Sequence, residues 1–245
     1  MFEFELVDSS LFKISFDSIS RIVDEVMCFV DKDGFRVSAM DKSHTTFIVL
    51  NLNPDLFDKF DYDVPMKFAV DTSELFKVLK RGGKKDKLKF KVNDNTLNII
   101  FEGEVIKNFG IRLIDLEYEE VKIPNFDGDC VIDVGSDFIK NCLTDVYIYT
   151  EKICFCVDDN MLHMKGEGQL GEVDIEYDTC INFGKKYISF FNIDKLKDIF
   201  VASKFSDCVE LGLGEDVPVN IKFLLPSEDG YLNFILAPII EYDEE

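Results

Sequence analysis

From its sequence the chain is an α+β protein of two similar units in tandem, each with helices on one face of antiparallel sheets. One order of elements, helix, strands, helix, strands, is written twice at about half the chain length. Strand-type runs, joined by short turn signals, outnumber helix-type runs. An acidic stretch without a clean period, DLEYEEVKIPNFD at 115–127, separates the two series and reads as a linker.

In the first series, Phe12, Phe16, Ile19 and Val23 recur at three- and four-residue spacing and predict a helix over 9–23, capped by Ser9 or Ser10. Strands 25–31 and 35–40 follow, joined at Asp33-Gly34, a hairpin signal. Shifted by 127, Ser136-Asp137 open a second helix with Phe138, Ile139, Cys142, Leu143 and Val146, and strands 153–157 and 161–165 follow. A second block repeats at offset 121: helix 72–81 matches helix 193–203, each after a strand (66–70 and 187–191). Strands 87–92 and 96–101 close the first series; 208–213, 218–225 and 231–236 close the second. The expected boundaries are 1–114, 115–127 for the connector, and 128–245.

The 245 residues are 47% hydrophobic, with 24 Phe and no Trp, which excludes intrinsic disorder and allows two cores. The N-terminus has no basic and apolar signal-peptide pattern, and no apolar run approaches the ~20 residues that span a bilayer. A soluble intracellular protein is expected. The seven cysteines form no C-x-x-C pair, which fits reduced thiols. Cys154 and Cys156 share one strand face and read as small buried hydrophobes; with two His in the chain, no metal ligand set and no cofactor are expected.

A net charge of −21 argues, taken whole, against a partner as anionic as DNA. The distribution is uneven. Residues 1–122 hold 18 basic and 23 acidic side chains, and within 77–91 eight of fifteen are Lys or Arg. Lys77, Lys80 and Arg81 share a helix face that Lys84 extends, and Lys13 and Arg21 share another. Cations so placed suit a phosphate backbone without sequence readout. Lys140, Lys197 and Lys204 are weaker candidates, since Asp137, Asp194 and Asp198 accompany them.

Residues 34–52, GFRVSAMDKSHTTFIVLNL, contain Gly34, Arg36, Val37, Ala39, Met40, Asp41, Ser43 and His44 in a G-x-R-V-x-A-M-D-x-S-H pattern. The C-terminus carries Leu236-Ala237-Pro238-Ile239-Ile240-Glu241 before Asp243-Glu244-Glu245. On these two motifs, in register over the whole length, the chain resembles the proliferating cell nuclear antigen family, the sliding clamps of archaea and eukaryotes. The resemblance implies two tandem clamp domains assembling three copies into a closed ring around double-stranded DNA, helices lining the hole. Such a ring is a processivity factor that tethers DNA polymerase and other replication and repair proteins. It implies an ATP-dependent clamp loader as a further partner, no membrane, and a cytoplasmic (nucleoid) location in an archaeon or a nuclear one in a eukaryote.

By the same resemblance the hole would be lined by Lys13, Arg21, Lys77, Lys80, Arg81, Lys84, Lys140, Lys197 and Lys204. A partner-motif pocket would draw on Met40, His44, Thr45 and Phe47, on Ile123, Pro124 and Phe126, and on Pro218, Ile235, Leu236, Ala237 and Pro238. Thr45 stands where an apolar residue is common and Ile239 where a basic one is common. The edge strand near 108–114 would pair with 172–178 of the next subunit, Lys107 and Arg112 facing Glu172, Asp174, Glu176 and Asp178.

Two other readings stand beside it. A specialised paralogue would keep the fold as one subunit of a mixed ring or as a regulator. A small-molecule enzyme would use Asp41, Ser43 and His44, but no second acid or base is spaced to join them, so no catalytic residue is assigned. Asp31-Lys32-Asp33-Gly34 lacks the later ligands of a calcium loop, and Gly166-Glu167-Gly168 lacks the Lys-Ser/Thr of a phosphate loop.

Overall fold

The computed structural model describes residues 2–7, 9–83, 85–117, 128–225 and 229–240. The chain forms two compact units, residues 1–122 with 224–232, and residues 123–223 with 233–245.

The first unit begins with β1 (Phe2–Leu6), α1 (Ser10–Ile22), β2 (Glu25–Asp31), β3 (Gly34–Met40) and β4 (Thr46–Leu52). It continues through β5 (Lys59–Tyr62), β6 (Met66–Asp71), α2 (Thr72–Leu79), β7 (Lys87–Asn93), β8 (Thr96–Glu102) and β9 (Ile106–Arg112). One sheet has the order β5-β1-β7-β8-β9; the other strands follow as β4-β3-β2-β6. The period of two in β1 sends Phe2, Phe4 and Leu6 inward and Glu3 and Glu5 outward. Phe4 is fully buried, stacked on Phe90 at 4.6 Å, with the rings of Phe57 and Phe12 at 4.8 and 5.0 Å. α1 closes over this cluster because Phe12, Phe16 and Ile19, all at 0% exposure, fall on one stripe. Each such buried aromatic or aliphatic side chain contributes about 1.5–3 kcal/mol. At the β2–β3 hairpin, Gly34 has φ +116, and a Cβ there would lie 2.0 Å from the Leu52 carbonyl oxygen, so only glycine fits.

The second unit runs β10 (Cys130–Gly135), α3 (Ser136–Val146), β11 (Lys152–Asp158), β12 (Met161–Gly168), β13 (Gly171–Asp178) and β14 (Tyr187–Asn192). α4 (Ile193–Ile199), a 3₁₀ turn (Phe200–Lys204), β15 (Cys208–Leu213), β16 (Val219–Leu224) and β17 (Gly230–Leu236) follow. Its strand orders, β13-β12-β11-β14 and β10-β15-β16-β17, repeat β4-β3-β2-β6 and β1-β7-β8-β9 element for element. The duplication reaches single hydrogen bonds. The Asp71 and Asn192 side chains cap α2 and α4 by accepting from the N–H of Glu74 (2.8 Å) and Lys195 (3.0 Å). The N–H of Thr72 donates to the Asp24 carbonyl, and that of Ile193 to the Glu151 carbonyl, both at 2.9 Å.

Most sequence-expected elements are present, with four differences. Ser9 stands at the N-cap of α1 without a capping bond, while α3 opens at Ser136 as expected. α2 ends at Leu79 and α4 at Ile199, where the chain tightens into a 3₁₀ turn. The edge strand expected at 108–114 lies at 106–112, because Ile114 turns away to bond the Ala69 carbonyl. Strands β1, β4, β5 and β10 had not been delimited from the sequence. No described helix is long and apolar enough to cross a membrane.

The outer face of the five-stranded sheet carries an ionic ladder. Glu3 pairs with Lys59 (3.0 Å) and Lys91 (3.4 Å); Glu5 pairs with Lys87 and with Lys89 (3.1 Å), which also reaches Glu102 (3.0 Å). Lys59 first holds the Glu3 carboxyl below its ordinary 4.5, and Lys87 first does so for Glu5. Carboxyls depressed in the folded state stabilise it above their unfolded pKa and lose that contribution as pH falls through the folded value. Glu3→Gln with Glu5→Gln is expected to lower stability at pH 7 by about 1 kcal/mol. In urea titrations the gap to the parent chain should close as pH falls below 4.5; a gap constant from neutral to acid pH would assign the loss to packing instead.

Candidate nucleic-acid and partner-binding surfaces

α1 and α2 pack side by side in the first unit. Leu75 and Leu79 of α2 are buried, while Lys77, Lys80 and Arg81 are exposed on the outward face, Lys80 over the Phe76 ring at 4.6 Å. On α1, Lys13 is half-buried and Arg21 is exposed, its guanidinium paired with Asp17 one turn earlier at 3.2 Å. Lys84 lies outside the described residues. The basic run 77–91 thus divides. Its helical part faces outward, and Lys87, Lys89 and Lys91 enter β7 and are held by Glu3, Glu5 and Glu102.

In the second unit, Lys140 of α3 is half-buried and donates to the Ser203 hydroxyl at 3.3 Å. Lys197 of α4 stands over the Tyr147 ring at 3.6 Å, and Lys204 is exposed at the end of the 3₁₀ turn. Asp194 first, then desolvation, raises the Tyr147 hydroxyl pKa, a sign of the negative charge on this face. The second unit therefore presents a weaker cationic surface than the first.

Loop 41–45, between β3 and β4, is built around Asp41, only 3% exposed. Its Oδ1 accepts from the N–H of Thr45 (2.8 Å) and Thr46 (2.9 Å); its Oδ2 accepts from the hydroxyls of Ser43 (2.5 Å) and Thr45 (3.1 Å). His44 takes φ +57, its N–H bonded to the Asp41 carbonyl at 3.0 Å and its Nδ1 3.1 Å from the Met40 sulfur. The imidazole is thereby turned to Met40, and Asp41 and Ser43 are committed to the loop. An acid–base pair does not form between them, which removes the basis of the enzyme reading. Sequence reasoning placed Asp41 beside the site and missed that it organises the loop. The signal was legible, an Asp followed by Ser, Thr and Thr that it can accept from.

The loop presents exposed His44 and half-buried Met40 and Thr45 above buried Phe47. In the second unit, Ile235 and Leu236 are buried at the end of β17, while Pro218, Ala237 and Pro238 are half-buried. Ile123, Pro124 and Phe126 lie outside the described residues.

The residues expected at a subunit contact lie on two sheet-edge strands. β9 ends the five-stranded sheet and β13 the four-stranded one. Glu172, Asp174, Glu176 and Asp178 all lie exposed on one face of β13. Lys107 and Arg112 are five residues apart and so project from opposite faces of β9. Arg112 is exposed, while the Lys107 ammonium donates to the Arg81 carbonyl (3.0 Å) and pairs with Asp86 (3.4 Å).

Five of the thiols are held in the protonated form by their surroundings. Burial pushes Cys130, Cys142 and Cys154 to about 11 and Cys28 higher still, and it raises Cys156.

The chain is thus a duplicated α+β protein with cationic helix faces and two sheet-edge strands, β9 and β13, one of them acidic along a whole face. Residues 1–122 match the family model for the proliferating cell nuclear antigen N-terminal domain. The chain is 38% identical over 244 residues to the DNA polymerase sliding clamps of Methanobrevibacter smithii and Methanothermobacter thermautotrophicus, covering 100% of itself and of each relative. It is 30% identical over 232 residues to the DNA polymerase sliding clamp of Pyrococcus furiosus, covering 92% of this chain and 93% of that one. The chain belongs to the proliferating cell nuclear antigen family of DNA sliding clamps, which are non-catalytic.

Replacing Asp41 by Ala strips four hydrogen bonds from the loop and leaves the buried Thr46 N–H without its side-chain acceptor. A loss of about 2–3 kcal/mol is expected in denaturant titration. Native-state hydrogen exchange should localise it to 41–46; an unchanged loop protection would remove Asp41 from that role.

Proposed function

We propose that the protein is a DNA sliding clamp, a ring of three identical subunits that encloses duplex DNA and tethers DNA polymerase. The observation that carries this is the full-length match to sliding clamps in a chain whose net charge is −21 but whose α2 and the turn that ends it expose Lys77, Lys80 and Arg81. A ring needs cations only where it faces the phosphates, and it holds DNA by enclosure rather than by contact energy.

In this reading Lys13, Arg21, Lys77, Lys80, Arg81 and Lys84 of the first domain (1–114) supply most of the inner charge. Lys140, Lys197 and Lys204 of the second (128–245) supply less. β9 of one subunit extends the sheet edge formed by β13 of the next, and a head-to-tail contact repeated through a fixed rotation closes the ring. Arg112 is the cation that meets Glu172, Asp174, Glu176 or Asp178, since Lys107 is engaged in its own chain. Partner proteins insert an apolar turn against Met40, His44, Thr45, Phe47, the 115–127 connector with Ile123, Pro124 and Phe126, and the segment around Pro218 and Ile235 to Pro238. An ATP-dependent loader opens the ring, and the protein works in the cytoplasm beside the nucleoid.

Native mass in solution tests the assembly: three times 28.2 kDa is expected, and a monomer across micromolar concentrations would overturn the homotrimer. Retention tests the enclosure. Loaded clamps should stay on circular DNA and run off a linearised copy. Charge reversal of Lys77, Lys80 and Arg81 to Glu should reduce retention on circular DNA about tenfold while leaving the native mass unchanged. Equal retention by parent and variant would remove α2 from the DNA-facing surface.

A further inference from the structure

The two sheet edges of the subunit contact proposed above, β9 and β13, carry the same sign of charge along with their flanks. In β9, Ile111 is buried and Phe109 meets the Phe101 ring at 6.0 Å, so this parity faces the core. Ile106, Asn108, Gly110 and Arg112 take the opposite face and are exposed. In β13, Val173, Ile175 and Tyr177 are half-buried, and the Tyr177 ring lies 5.2 Å from Phe138 of α3. Glu172, Asp174, Glu176 and Asp178 take the exposed face. Where one edge strand extends another sheet, core faces align with core faces and solvent faces with solvent faces.

The exposed face of β9 supplies one cation, Arg112. Exposed Glu104 precedes the strand, and exposed Asp115 and Glu117 follow it. Lys107 belongs to the core-facing parity and is held by Asp86 (3.4 Å) and the Arg81 carbonyl (3.0 Å). On β13, Asp174 is paired with Lys165 at 2.7 Å and lies 3.1 Å from the His163 ring. Glu172, Glu176 and Asp178 have no lysine or arginine partner among the described residues. Same-face residues on a strand stand about 6.7 Å apart. That spacing is inside the ~8 Å Debye length at physiological salt, so these carboxylates repel one another. Docked to a second copy, they repel its Glu104, Asp115 and Glu117 as well.

Cohesion has other sources. Strand addition pairs the outward backbone groups of both edges, which no described strand uses. It also joins half-buried Phe109 to Val173 and Ile175 on the core side, and it covers exposed Ile106. A contact built on opposite charges weakens as salt rises. Here a single guanidinium stands against a stripe of carboxylates, and the electrostatic balance has the other sign.

We propose that the subunit contact forms against like-charge repulsion and that dissolved monovalent cations regulate it, the ring tightening as ionic strength rises. The inference rests on the ring proposed above and names what controls its closure. At about 0.01 M salt the Debye length is about 30 Å, so every carboxylate of one edge acts on the other edge; at about 0.1 M it is about 10 Å, and only the nearest pairs remain. No fixed ion site is required, because screening alone removes the repulsion. The cations on α1 and α2 respond in the opposite sense, since salt weakens their attraction to phosphate. One change in salt therefore closes the ring and frees the DNA within it to move.

The test measures the native mass of the full-length chain by analytical ultracentrifugation over a range of protein concentrations, from about 0.01 M to about 0.3 M potassium chloride. The trimer of 28.2 kDa subunits is expected to form at about tenfold lower protein concentration at the higher salt. Glu172→Gln with Glu176→Gln should assemble at low salt about as readily as the parent does at high salt. Arg112→Gln should raise the protein concentration needed at low salt. All three side chains are exposed, so the variants leave both cores intact. A trimer that loosens as salt rises, or a salt response unchanged in the double glutamine variant, would overturn the inference and leave the ring standing. A monomer at every salt and protein concentration would overturn the ring and its regulation together.

Discussion

The alternation of side chains along β-strands is the constraint on which the rest of this molecule depends. In most of the described strands one face is buried, and a residue's parity within its strand decides whether it joins a core or meets solvent. In β1 that rule makes Phe2, Phe4 and Leu6 core and leaves Glu3 and Glu5 to balance lysines. It also divides the basic run at 77–91. On α2 the cations are free to face outward; in β7 Lys87, Lys89 and Lys91 share the opposite parity to buried Leu88, Phe90 and Val92 and are neutralised. A segment that looks uniformly basic in sequence is two surfaces of different electrostatic character.

Parity also governs what the edge strands offer a neighbour. On β13 the four acidic residues share one face, so they form a stripe. On β9, Lys107 and Arg112 do not, and one of the two is drawn to Asp86 and the Arg81 carbonyl behind the sheet. The loop after β3 shows the same economy in polar groups. Asp41, Ser43 and His44, which in another geometry could exchange a proton, are separated here by a carboxylate that accepts four hydrogen bonds. The result is a rigid surface loop carrying His44 and Met40 rather than a reactive centre.

The duplication was legible in the sequence because each half repeats strong local signals, amphipathic helices and hairpin turns in the same order; the matching caps at Asp71 and Asn192 emerge only in the structure. Strand β4 was harder to delimit, since TFIVLNL is buried at both parities in its first five residues and shows no alternation. β5 has only four residues and no fully buried side chain, so it leaves almost no pattern. The cationic helix faces were readable from a period of 3.6. The pairing of Lys87, Lys89 and Lys91 was not, because their partners Glu3 and Glu5 lie more than eighty residues away and meet them only through register.

Register and screening together answer how a chain of net charge −21 can surround DNA. Much of the excess acid lies in exposed strand residues such as Glu172, Glu176 and Asp178, on sheet faces turned away from the helices. A helix is about 10 Å across, and the sheet behind it adds to that distance. The Debye length is about 8 Å at physiological ionic strength, so within each unit of the proposed ring, charges on the far face of a sheet are largely screened from a phosphate lying against the helices that cover it. In the proposed ring, a phosphate against α2 would meet the local set of Lys77, Lys80 and Arg81, while Arg21 of α1 is already paired with Asp17. Few strong contacts and incomplete neutralisation suit a ring: enclosure supplies the retention, and weak, sequence-independent attraction lets the DNA move through it.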